Sequence, residues 1–227
     1  MKTQHKSITF PCKDLILEGM LAWPENQKLN SIQLESQNLE KGNLRAGIVC
    51  HPHPLYGGNM DNNVVMGVWW AFAETRLVAM RFNFRGTGKS QGKHGGGGPE
   101  QEDVRAAIDY LEAQDHHQEG GIILAGYSFG AMVGLRIAAE DPRVLALIAI
   151  APPLSIDDFS FLEDCPKPKL IIAGDDDFVC PNSLVEDLFR RLEGPKRLSL
   201  ISGADHSLFG HETEVRKVTT DFINSLP

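Results

Sequence analysis

The sequence predicts an α/β protein: a mostly parallel sheet covered by helices on both faces and preceded by an antiparallel hairpin. Three observations predict it. Apolar runs of strand length alternate with amphipathic stretches of helical spacing along nearly the whole chain. The run at residues 144–151 is apolar throughout, as expected of a strand buried on both faces. A third run, residues 122–125, passes through Gly126-Tyr127-Ser128-Phe129-Gly130 straight into an Ala/Leu/Ile-faced helical segment.

In chain order, residues 6–10 and 15–23 read as the hairpin, turning at residues 11–14. Residues 25–43 are polar and read as a surface insertion. A strand at residues 45–50 ends in His51-Pro52-His53-Pro54, an irregular loop at a strand's C-terminal end. Asp61 or Asn62 is the expected N-cap of the next helix, which carries Val65, Val68, Trp69 and Phe72 at helical spacing. A strand at 77–83 leads to Gly88-Lys89-Ser90, which ends like a phosphate-binding loop. Asn83 stands where that motif needs glycine, and no helix follows, so the segment reads as a flexible loop. Glu100 and Asp103 open another helix, where the helix dipole favours acids. Its polar exit, residues 114–120, places His116 and His117 in solvent. Beyond residue 141 the pattern repeats as strands at 144–151, 169–173 and 196–201, with helices at 182–191 and 214–225. Neither an internal repeat nor a linker interrupts the 227 residues, so one domain spanning 1–227 is expected.

Composition narrows the function classes. A net charge of −8 disfavours a nucleic-acid partner, since phosphate binding needs a basic face. The four cysteines are scattered, which supports neither a disulfide framework nor a zinc site. His51 and His53 have no third ligand type nearby, so no metal is expected. No apolar run approaches the roughly 18 residues of a membrane span, and no secretory leader is read. The expectation is a cytoplasmic protein without a membrane partner.

The chemistry comes from strand ends. A serine nucleophile needs a base, and the base needs an orienting group. Ser128, one of the aspartates 175–177 and His206 supply those types in the order Ser, Asp, His. The blocks at residues 51–58, 81–88, 126–130, 174–177 and 203–206 together resemble the α/β-hydrolase superfamily. The resemblance is greatest to its small lidless serine hydrolases and esterases related to dienelactone hydrolase, and it covers nearly all of the chain except residues 25–43.

The resemblance implies an α/β-hydrolase fold without a cap domain and a Ser128–His206–Asp177 triad. Asp177 fits the family frame through Gly174 and Pro181, whereas Asp175 and Asp176 do not. His206 follows a strand in the family manner, whereas His211 precedes a Glu-rich helix. The family's oxyanion hole implies backbone N–H donors from Phe129 and from the loop after residue 50. Pro52 and Pro54 have none, which leaves His53 first, then Leu55 or Tyr56. The implied activity is a cofactor-free carboxylesterase acting on small ester substrates through an acyl-enzyme. Thioesters or small peptide amides are the alternatives, and a non-catalytic ligand-binding protein is the alternative of another class. A histidine base predicts activity that rises as imidazole, of pKa about 6.5 when free, loses its proton. Phe159, Phe161, Phe209 and the Trp69–Trp70 pair are assigned to the core or the pocket wall.

Overall fold

A computed structural model describes residues 3–24, 44–113 and 117–227. The segment 25–43 and His116 lie outside the described residues. Strands β1 (Thr3–Cys12) and β2 (Leu15–Pro24) form the hairpin, in register from Thr3 opposite Pro24 to Cys12 opposite Leu15. Both strands are longer than their apolar cores suggest. Lys13, with φ of 53°, makes the turn tight enough for Pro11 and Cys12 to stay paired.

The remaining elements alternate. Strand β3 (Leu44–Cys50) is followed by helix α1 (Asn63–Glu74), and β4 (Val78–Phe82) by α2 (Glu100–Glu112). Strand β5 (His117–Tyr127) runs into α3 (Phe129–Glu140), and β6 (Val144–Ile150) precedes β7 (Lys169–Gly174). Helix α4 (Asn182–Arg191), strand β8 (Lys196–Ile201) and helix α5 (Glu212–Ile223) complete the chain. The eight strands form one sheet in the order β1-β2-β4-β3-β5-β6-β7-β8. Strands β3 to β8 are mutually parallel; β2 joins β4 antiparallel. Two apolar cores flank the sheet. Helices α2, α3 and α4 build one, and α1 and α5 the other. Among the described residues no helix is long and apolar enough to cross a membrane.

Strand β5 begins at His117, five residues before the apolar run that marks it in the sequence. Parallel pairing between His117 and Leu44 draws this polar stretch into the sheet, an override of local composition by tertiary pairing. His117 is therefore strand rather than helix exit. Asn62 is the cap of α1, its side chain accepting from Val64 N at 3.0 Å.

The loop at residues 84–98 is pinned, contrary to the flexible loop expected from its glycines. Two acids that dipole arguments would leave at a helix surface are fully buried, Glu100 and Asp103. The Asp103 carboxylate takes Arg85 N at 2.9 Å, Arg85 Nη2 at 2.6 Å and the Cys12 thiol at 3.3 Å. Glu100 takes the N–H groups of Gly95 and Gly97 at 2.6 and 2.8 Å. From the other side, Glu18 on β2 accepts from Asn83 and from Lys89 N. Ser90, the end of the apparent phosphate loop, donates to Asn83 O and accepts from Glu18 N. The polar groups named here are spent on protein partners rather than left free for a phosphate.

His51 closes β3. It is buried, its Nε2 accepts Phe84 N at 3.0 Å, and its Nδ1–H donates to Pro52 O at 2.6 Å. Burial pushes its pKa down from 6.5 to about 4. The unfolded chain therefore takes up this proton first. The stability tied to neutral His51 is present above pH 6.5 and is lost as pH falls from 6.5 towards 4. The expected loss is about 3 kcal/mol, read as a falling urea midpoint, and the His51→Gln variant should lack that part of the slope. Replacing Asp103 by alanine should lower the unfolding free energy by about 3 kcal/mol, because the Arg85 guanidinium loses its buried partner. Chemical denaturation at pH 7 measures it, and an unchanged midpoint would contradict the pinned-loop description.

Candidate active site

The chain enters the parallel part of the sheet at β3, moves to β4 on one side, then crosses to β5 on the other. The crevice between the C-terminal ends of β3 and β5 is a topological switch point, where open α/β sheets bind ligands. Ser128 lies at the end of β5 with φ of 52° and ψ of −114°. A non-glycine residue in that region is strained, and such strain persists only where the surroundings impose it. Here they do. A Cβ on Gly126 would overlap the Gly130 carbonyl and Ala131, and a Cβ on Gly130 would overlap the Cys50 and His51 carbonyls. The two glycines let the start of α3 sit against the ends of β5 and β3, and Ser128 is the bend this leaves.

Ser128 Oγ lies 2.9 Å from His206 Nε2, and His206 Nδ1 lies 2.8 Å from Asp177 Oδ2. Asp177 is buried, and its Oδ1 accepts from Val179 N at 2.8 Å and Cys180 N at 2.9 Å. A carboxylate so bound takes the Nδ1 proton of His206 as a hydrogen bond, leaving Nε2 as the acceptor that faces the serine hydroxyl. Asp175 and Asp176 are exposed. Asp175 accepts from Gly203 N, and Asp176 N donates to Ala204 O. These two bonds stitch the β7 loop to the β8 loop. Gly174 permits the approach, since a Cβ there would overlap the Ala204 carbonyl. His211 stands apart, 4.0 Å from Glu214.

The two expected backbone donors lie at the start of α3 and in the loop after β3. Phe129 is the first residue of α3, so its N–H has no partner within the helix. In the loop after β3, Leu55 N donates to His53 Nδ1 at 3.2 Å and Tyr56 N to His53 O at 3.1 Å. Among the described residues, the N–H groups of His53 and Phe129 have no acceptor, whereas those of Leu55 and Tyr56 do. The His53 ring packs 4.8 Å from Phe129 and 4.9 Å from His94. Partial burial first, then the neighbouring His94, holds the His53 imidazole below its usual pKa. Among the described residues no three metal-ligating side chains converge, and both His51 nitrogens are hydrogen-bonded within the protein.

The surroundings are open. Residues 151–168 contain one short 3-10 turn, Ser160–Leu162, between β6 and β7. Leu55, Tyr56, Ile156, Phe178 and Phe209 are 72–89% exposed, on the loops that follow β3, β6, β7 and β8. Trp69 and Phe159 belong to the core. Sequence reasoning assigned no role to Tyr127, whose hydroxyl reaches the His206 loop, or to His94 beside His53, and it read Glu100 only as a helix-opening acid. Nothing in the pattern distinguishes these from ordinary loop and strand residues, because their partners lie far away in sequence.

Comparison with known proteins agrees with the architecture. Residues 36–200 match the family described as X-Pro dipeptidyl-peptidase (S15 family). An uncharacterised protein of Rickettsia prowazekii is 36% identical over 189 residues, covering 80% of this chain and 79% of its own. An α/β serine hydrolase homologue from Coxiella burnetii superposes with a TM-score of 0.81 at 33% identity, covering 95% of this chain and 96% of its own. A Xanthomonas campestris protein described as an α/β serine hydrolase without lid gives 0.81 at 31% identity, over 100% of this chain and 97% of its own. Fold, strained serine turn and relatives converge: the chain belongs to the α/β-hydrolase superfamily, in the X-Pro dipeptidyl-peptidase (S15) family of serine hydrolases.

Proposed function

We propose that the protein is a carboxylesterase of small esters that works through Ser128, His206 and Asp177. The observation that carries this reading is the unbroken hydrogen-bond chain from Ser128 Oγ through His206 to the buried Asp177. His206 Nε2 removes the hydroxyl proton as Oγ attacks the ester carbonyl. Negative charge gathers on the carbonyl oxygen, and the N–H groups of Phe129 and His53 receive it. The start of α3 adds its positive dipole end to the same point. The protonated His206 then gives its proton to the leaving alkoxide, which departs as the alcohol. Asp177 holds the imidazole in one tautomer and stabilises its charged form. Water, deprotonated by His206, attacks the acyl-serine; collapse of the second tetrahedral intermediate releases the acid and restores Ser128. No cofactor enters these steps.

The open edge and its exposed apolar loop residues suit small or varied acyl groups that need no enclosure. One observation favours a second reading, hydrolysis of a peptide amide: the match to the X-Pro dipeptidyl-peptidase family. Amides differ in needing efficient protonation of a poor leaving group, a demand on His206 rather than on the pocket.

The reading predicts covalent labelling of Ser128 by a fluorophosphonate and turnover of short p-nitrophenyl esters. Ser128→Ala should lower turnover by at least about 10⁴-fold and abolish labelling, and Asp177→Asn should cost about 10⁴-fold through the wrong His206 tautomer. Ester turnover that survives in Ser128→Ala excludes the mechanism. A side-by-side assay of p-nitrophenyl esters, acyl thioesters and X-Pro p-nitroanilides ranks the substrate classes. Faster turnover of the anilides would replace the esterase reading by the peptidase one.

A further inference from the structure

Tyr127 occupies the variable position before Ser128 in the Gly-x-Ser-x-Gly turn. Its side chain is 4% exposed and its ring lies in the core that α1 and α5 build on the sheet. The hydroxyl lies 2.9 Å from His206 O and 3.0 Å from Ser207 O, across 79 and 80 residues of sequence. Both carbonyls are acceptors, so the single phenolic proton is shared between them. The rings of Tyr127 and His206 are 6.3 Å apart. Burial, its largest cause, raises the pKa of the phenol, so the hydroxyl remains a donor at neutral pH.

A core position between an apolar strand and a helix would be filled equally well by phenylalanine. The hydroxyl therefore needs a reason beyond packing, and its only hydrogen-bond partners among the described residues are the two carbonyls of the His206 loop. That loop is otherwise held by local bonds, Ser207 N and Oγ to Asp205 and Leu208 N to Asp205 O, by Asp177 on the imidazole, and by the bonds of Gly203 N to Asp175 and of Asp176 N to Ala204 O that join it to the β7 loop. The local bonds fix the shape of the loop, and the Asp175 and Asp176 bonds seat it against the β7 loop rather than against the serine turn. They do not fix its distance from Ser128. Tyr127 does, because it is bonded covalently to Ser128 and its hydroxyl grips the backbone of His206 itself.

We propose that Tyr127 is a positioning residue that ties the serine turn to the histidine loop and sets the Ser128–His206 separation. This inference rests on the assignment of Ser128 and His206 as nucleophile and base. With the tie cut, the loop keeps its local bonds, but the backbone at His206 is free to shift, which loosens the imidazole against Asp177 as well as against Ser128. The hydroxyl-to-imidazole distance is then no longer imposed, and misplacement by about 1 Å is worth on the order of a hundredfold in rate.

The test is Tyr127→Phe, which keeps the ring and removes only the hydroxyl. With a p-nitrophenyl ester, kcat should fall about ten- to a hundredfold while KM stays within about twofold, and fluorophosphonate labelling of Ser128 should slow in parallel. Proton NMR gives a readout free of turnover: the downfield Nδ1–H resonance of His206 should broaden in the variant through faster exchange with water. Unchanged kcat, or a loss confined to KM, overturns the proposal, as does an Nδ1–H resonance as sharp as in the unaltered protein. Ser128→Ala run alongside separates the two failures. If it remains active, the triad assignment itself is wrong; if it is inactive while Tyr127→Phe is fully active, only the role of Tyr127 falls.

Discussion

The site depends on one steric fact, the close approach of the start of α3 to the ends of β5 and β3. Backbone meets backbone there because Gly126 and Gly130 lack a Cβ that would collide with carbonyl groups. That contact forces Ser128 to φ of 52°, aims its hydroxyl out of the sheet edge and leaves the Phe129 N–H uncommitted. Strain of this kind costs on the order of 1–3 kcal/mol. The Ser128 N–H bond to Ile150 O on β6 and the buried flanks of the turn hold it in place. A serine anywhere else along β5 or α3 would have the same chemistry and none of the geometry.

A second constraint joins the loops that reach the serine. The β7 loop supplies Asp177 and the β8 loop supplies His206. Backbone and side-chain bonds from Asp175 to Gly203 and from Asp176 to Ala204 hold these loops together before any imidazole contact is counted. The three consecutive aspartates thus divide their work. Two exposed ones secure the loop, and the buried one meets the histidine. On the far side, Glu100, Asp103 and Glu18 fix the 84–98 segment, and through it the ground on which His53 and Phe129 rest.

Much of this was legible in the residues. The alternation of runs gave the parallel sheet, because strands buried on both faces have no polar side to show. The Gly-x-Ser-x-Gly turn was legible because its glycines answer to a local steric demand. What stayed hidden was set by distant partners. The polar start of β5 is strand only because Leu44 pairs with His117. Glu100 and Asp103 look like surface acids until Gly95, Gly97 and Arg85 are seen to bury them. The tie from Tyr127 to the β8 loop spans 79 residues, and no periodicity encodes such a contact.

The exposed Leu55, Tyr56, Ile156, Phe178 and Phe209 carry a thermodynamic consequence. Each holds hydration water against an apolar surface, and any molecule that displaces it gains on the order of 25 cal/mol per Å² covered. That gain is indifferent to chemical detail, so attraction to this edge is generic for greasy molecules. Discrimination between them is left to the few fixed polar atoms around Ser128.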